Sequence, residues 1–153
     1  MGLEDDIAFF EQVPTFAVLG KQALRILAIG AETRSLQSGA VLFYAGELAD
    51  GGYVVQEGSL RLEPGTLSEG KEVIVGPGTL VGELALLTDM VCHATAIAKE
   101  PTVVIRISRS LFKKMLEGYP AAAAQLRDIM AERMDGWQRE LGAVKAAMTK
   151  DGD

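Results

Sequence analysis

The sequence holds one cysteine, one histidine and one tryptophan in 153 residues, and aromatic residues make up only 6% of it. With Cys92 alone there is no intrachain disulfide and no Cys-x-x-Cys metal knuckle, which fits a reducing compartment. With His93 alone, a metal barrel that draws on several histidines is excluded, and no nucleophile with its base is in sight. An enzyme is therefore not expected. Positive charge is also scarce, 15 Lys and Arg against 21 Asp and Glu for a net charge of -6, so nothing here would neutralise a phosphate backbone. No apolar run approaches the roughly 20 residues of a membrane span, and Glu4, Asp5 and Asp6 make the N-terminus acidic where targeting segments are basic. These absences predict a soluble, cytoplasmic chain without a nucleic-acid or membrane partner.

Apolar residues are abundant by contrast, at 48% against 24% charged, enough for a single domain spanning 1–153 around one core. Two short helical stretches come first, Leu3 to Val13 stopped by Pro14 and Lys21 to Ile29 stopped by Gly30. From 32 to 108 the pattern becomes short runs of Val, Ile, Leu and Tyr cut by glycines, among them Gly39, Gly46, Gly58, Gly76 and Gly78. That reads as a small β barrel or roll, flanked by N-terminal helices over 1–31 and C-terminal helices over 109–149. Leu60 and Leu62 alternate with polar residues as a half-buried strand requires. Segments Ala94 to Lys99 and Val103 to Ile107 flank a Glu100-Pro101 turn, and Ser108 offers an N-cap for a helix ending near Gly118.

Pro120 is placed to open a long final helix. Met130, Met134, Trp137, Leu141, Val144 and Met148 recur in steps of four and three, a heptad seam with Glu140 and Lys145 at flanking positions. The seam predicts a homodimer, although Gly136 and Gly142 each cost about 1 kcal/mol relative to Ala and the same stripe could pack on its own roll.

The chemistry lies in Gly76-Pro77-Gly78-Thr79-Leu80-Val81-Gly82-Glu83-Leu84-Ala85-Leu86-Leu87, followed by Cys92-His93-Ala94-Thr95-Ala96. Gly82 lets a backbone approach a ligand, amides of a turn near Leu84 and Ala85 could face an anion, and Glu83 can accept a sugar hydroxyl proton. The stretch resembles the phosphate-binding cassette of cyclic nucleotide-binding domains, the sensor domains of catabolite-activator-like proteins. Gly39 to Glu47, Ala49 to Val55 and Glu57 to Leu62 extend the likeness over most of the chain. The resemblance implies a mainly β fold, a β-roll (double-stranded β-helix, jelly-roll-like) with N-terminal helices and a long C-terminal helix. It further implies ligand contacts from Gly82, Glu83, Leu84, Ala85, Cys92, His93 and Ala94, with Trp137 as an aromatic lid.

In the family an arginine completes the cassette, and the gapless match puts Cys92 at its place, which makes this cassette degenerate. Removing one partner of a buried charged pair costs on the order of 2–5 kcal/mol, or about 30-fold to several-thousand-fold in affinity. His93 would compensate if protonated and turned inward, and binding would then tighten as pH falls. The alternative is an outward His93, because adjacent strand residues point to opposite faces and only one of Cys92 and His93 can then line the pocket. Cys92 itself reads either as an activated thiolate or as a small apolar filler. Trp137 serves equally as a lid on a base or as a seam residue.

Two function classes remain. One is a regulatory ligand sensor whose cyclic nucleotide binding is weakened or altered by Cys92, taking a cyclic nucleotide weakly or another small anion, with no resident cofactor. The other is a ligand-free dimerising or protein-interaction scaffold with a vestigial pocket. The stretch after Pro120 is too short for the helix-turn-helix domain that succeeds the sensor in catabolite-activator-like regulators, so no DNA-binding domain is expected.

Overall fold

Between Thr102 and Ser108 the apolar residues do not alternate cleanly with polar ones, so this strand has to be covered on both faces. The computed structural model, which describes residues 2–65, 71–129 and 131–132, shows how. Ten strands form after two helices: α1 (Leu3–Glu11), α2 (Lys21–Gly30), β1 (Glu32–Leu36), β2 (Val41–Phe43), β3 (Leu48–Ala49), β4 (Gly51–Glu57) and β5 (Leu60–Pro64). They are followed by β6 (Val73–Val75), β7 (Leu80–Val81), a 3₁₀ turn (Glu83–Leu86), β8 (Met90–Val91), β9 (Ala94–Ala98), β10 (Thr102–Ser108) and α3 (Arg109–Gly118). One four-stranded sheet has the order β1-β10-β4-β7, the other β2-β9-β5-β6, and β3 pairs with β8. All pairings are antiparallel, the architecture of a β-roll.

The first sheet divides the interior. Val54, Ile105 and Ile107 point to a core built with Phe10, Phe16, Leu24, Leu27 and Phe112 from the helices. Val55 and Val104 point the other way, joining Leu60, Ala96 and Ala98 between the sheets. Phe16 sits between Phe10 and Phe112, with ring centroids 5.6 and 6.2 Å away, so aromatic contacts tie α1 to α3.

The expected boundaries of the roll coincide with β1 and β10. Helix α1 ends at Glu11, two residues short of the expected Val13, and a tighter turn carries Val13 and Phe16 into the core. Pro14 disfavours helical backbone at the residue before it. Ser108 caps α3 as expected, its Oγ accepting from the Leu111 amide at 3.1 Å. At Glu100-Pro101 the chain is latched by Thr102, which is buried. Its hydroxyl lies 3.0 Å from the Ser59 carbonyl and 2.7 Å from that of Glu100, and accepts from the Ser59 amide at 3.2 Å. Helical backbone resumes at Pro120, where Ala122 and Leu126 reach the helical core. The heptad seam, with Trp137, Glu140 and Lys145, lies outside the described residues.

Candidate functional site

Three strands of two residues each carry the cassette. β7 is held to β4 through Tyr53 opposite Val81 and Val54 opposite Leu80, and β8 to β3 through Leu48 opposite Val91. Gly82, with φ of 83°, turns the chain from β7 into the 3₁₀ turn, and a Cβ there would lie 3.2 Å from the Gly51 carbonyl oxygen. Leu86 anchors the turn in the helical core while Leu84 remains exposed.

These elements enclose a cavity of about 380 Å³. Of the expected residues, Gly82, Glu83, Leu84, Ala85, Cys92, His93 and Ala94 all line it, with Phe43, Leu62, Leu80, Met90 and Val91 completing a largely apolar wall. The Ala85 amide donates to the Gly82 carbonyl at 3.1 Å, closing the turn. Trp137 lies outside the described residues.

The expectation that only one of Cys92 and His93 lines the cavity is corrected. Strand β8 ends at Val91 and β9 begins at Ala94, so the two residues sit between strands and the alternation of faces does not apply to them. The Cys92 amide donates to the Glu47 carbonyl and its own carbonyl accepts from the Gly46 amide, each at 2.8 Å. His93 is exposed, and its carbonyl accepts from the Gly65 amide at 3.1 Å.

Burial, together with the nearby Glu47 carboxylate, pushes the Cys92 thiol above its ordinary value. That is the behaviour of an apolar filler, and it opposes an activated thiolate. Since the folded state holds the proton more tightly, its contribution to stability is present below the ordinary thiol range and lost as pH rises through the raised value. Alkylation by iodoacetamide is accordingly slow near neutrality and accelerates at higher pH than for a free thiol. Glu47→Gln shifts that profile toward lower pH, and an unchanged profile refutes the Glu47 contribution.

One residue of the site was missed from sequence. Arg109, the first residue of α3, donates from Nε to the Ala85 carbonyl at 2.8 Å, from Nη2 to the Ala49 carbonyl at 2.6 Å, and from Nη1 to Asp89 Oδ1 at 2.5 Å. Its own amide donates to the Asp50 carbonyl at 2.7 Å. A cation in the first turn opposes the helix dipole, and that mismatch was the available signal. Arg109→Ala leaves two buried-side carbonyls without their charged donor, at about 1–3 kcal/mol. Hydrogen exchange should accelerate in 83–89 before it does in β4, and uniform acceleration would refute a clamp on the cassette.

Among the described residues no cluster of His, Cys, Asp and Glu could hold a metal ion, and no helix is long and apolar enough to cross a membrane. A family profile described as "Cyclic nucleotide-binding domain" matches residues 33–119. The structure resembles that of a cyclic nucleotide-binding-like protein from Brucella abortus, at 38% identity and a TM-score of 0.65, covering 74% of this chain and 98% of that one. The cyclic AMP receptor protein of Thermus thermophilus is 29% identical over 79% of this chain, and a lysophospholipase of Pyricularia oryzae is 29% identical over 78%. The chain spans 57% of the receptor's length but only 8% of the lysophospholipase's, so the likeness to the latter is confined to a small part of it. With the roll, the cassette turn and the profile match falling on the same residues, the chain belongs to the cyclic nucleotide-binding domain family.

Proposed function

We propose that this domain is a non-enzymatic regulatory module that senses a small ligand in the cassette cavity, and that Cys92 in place of the arginine weakens or alters its response to cyclic nucleotides. The observation that carries the reading is an open, concave cavity whose wall keeps the Gly82 turn and Glu83 while its one cationic position holds a neutral thiol. A vestigial site would be expected to fill with side chains, and this one is within the roughly 300–1,000 Å³ of ordinary ligand sites. The regulatory role agrees with the likeness to a cyclic AMP receptor protein, and a cytoplasmic homodimer joined through the C-terminal helix is part of the same proposal.

The scaffold reading keeps one specific support. Leu48 and Val91, directly paired across β3 and β8, are both exposed, at 82% and 45%, and Leu84 and Leu87 are exposed as well. Calorimetric titration with cAMP and cGMP, at about pH 6 and about pH 8, beside the Cys92→Arg variant, separates the two readings. Binding by the wild type makes this a cyclic nucleotide receptor. Binding by the variant alone means that the roll is intact and the cyclic nucleotide is not its ligand.

A further inference from the structure

Beside the cassette cavity lies a second one, of about 420 Å³, and the two share Phe43, Ala49, Val81, Gly82 and Cys92 as common wall. An arginine at position 92 would stand between them; the shorter cysteine side chain takes up less of that wall. The second cavity is lined by Arg34 and Arg106. Both belong to the sheet face that looks into the roll. Arg106 is two residues from Val104 of the inner core, and Arg34 two residues from Leu36, which packs on that core. The register sets Glu32 opposite Arg106 and Arg34 opposite Val104, so the two arginines are diagonal neighbours.

Their donors are only partly used. Arg106 donates to Asp50 Oδ1 at 2.8 Å, has Tyr53 as a further side-chain partner and stands 4.0 Å from Glu32, while Arg34 reaches Glu32 at 3.5 Å. A guanidinium carries five N–H groups in a planar fork suited to carboxylate and phosphate. Asp50 is 75% exposed at its side chain and Arg106 only 19%, so the carboxylate can turn to solvent while the guanidinium stays facing the cavity. Burial opposes the charge on Arg106, yet Asp50 and Tyr53 hold it cationic. An entering anion that takes the place of Asp50 keeps that charge compensated. Glu47 lines this second cavity as well and lies close enough to Cys92 to raise its thiol, so the entering anion has to be held by the two arginines against two carboxylates, Asp50 and Glu47.

We infer that the two cavities form one site for an amphipathic organic anion, its apolar body against the cassette and its carboxylate or phosphate end held by Arg106 and Arg34. The inference rests on the reading of the domain as a small-ligand receptor and names the ligand class of that receptor.

Anilinonaphthalene sulfonate, an apolar body with one anionic group, is the direct probe. Its fluorescence titration should weaken by about tenfold or more in Arg106→Gln and less in Arg34→Gln, and tighten several-fold in Asp50→Asn, which frees the guanidinium of its competitor. Octanoate and octyl phosphate should displace the dye and octanol should not, and the ratio of the two anions' affinities tells which headgroup the site prefers. Asp50→Asn keeps the test decisive if Arg106→Gln fails to fold. Dye affinity unchanged in Arg106→Gln and Asp50→Asn, or displacement by octanol as readily as by the anions, overturns the proposal. If Cys92→Arg still binds cAMP in that case, the receptor reading survives and only the ligand class falls. If neither dye nor nucleotide binds any variant, both fall.

Discussion

Cys92→Arg is expected to raise the affinity for cAMP by at least about 30-fold, measured by calorimetry on the purified domain. The figure comes from the worth of a buried charge-assisted pair, about 2–5 kcal/mol, whose upper end corresponds to several-thousand-fold. The lower bound is the better expectation because the Glu47 carboxylate, close enough to raise the Cys92 thiol, will compete with the phosphate for the new guanidinium. Cys92→Arg combined with Glu47→Gln should therefore bind more tightly than Cys92→Arg alone. There is room for the longer side chain, since Cys92 borders cavities on two sides. If the variant folds with an unchanged melting temperature and still ignores cAMP, the match of Cys92 to the cassette arginine is refuted.

Gly58→Ala should destabilise the roll strongly. Gly58 has φ of 81°, and a Cβ there would lie 2.5 Å from the Pro101 carbonyl oxygen, 2.6 Å from Thr102 Oγ1 and 2.8 Å from Thr102 Cα. Left-handed backbone costs a residue with a Cβ about 1 kcal/mol. Relieving the contacts means moving backbone and breaking the buried Thr102 latch, at about 1–3 kcal/mol more. A total near 3 kcal/mol lowers the melting temperature by roughly 6–12 °C for a domain of this size. Gly76→Ala is the control, with φ outside the left-handed region and nothing within 4 Å of the added methyl, and it should change little. Equal melting temperatures for the two variants would refute the argument.

Features governed by local spacing were legible in the residues. The glycine punctuation, the alternation at Leu60 and Leu62 and the Ser108 cap each involve neighbours in sequence, and β5, β9, β10 and α3 fall where they indicated. The lining of the cassette cavity was likewise legible, because Gly82 to Ala85 and Cys92 to Ala94 form two short continuous stretches. Arg109 was not, since its three acceptors come from Ala49, Ala85 and Asp89, far away along the chain. Nor was the pairing of Arg34 with Arg106, whose separation of about seventy residues is closed only by the β1–β10 register. The error at Cys92 and His93 had a different origin: strand periodicity was applied to residues that connect two strands.

The brevity of β3, β7 and β8 has a temporal consequence. A two-residue strand contributes few ladder bonds, whereas β4 and β10 are seven residues each and their apolar side chains are buried on both faces. Opening free energies within one domain can range from near zero to the global value. The cassette wall is thus expected to be the fast layer of the molecule, opening many times during the lifetime of the slow strands that carry it.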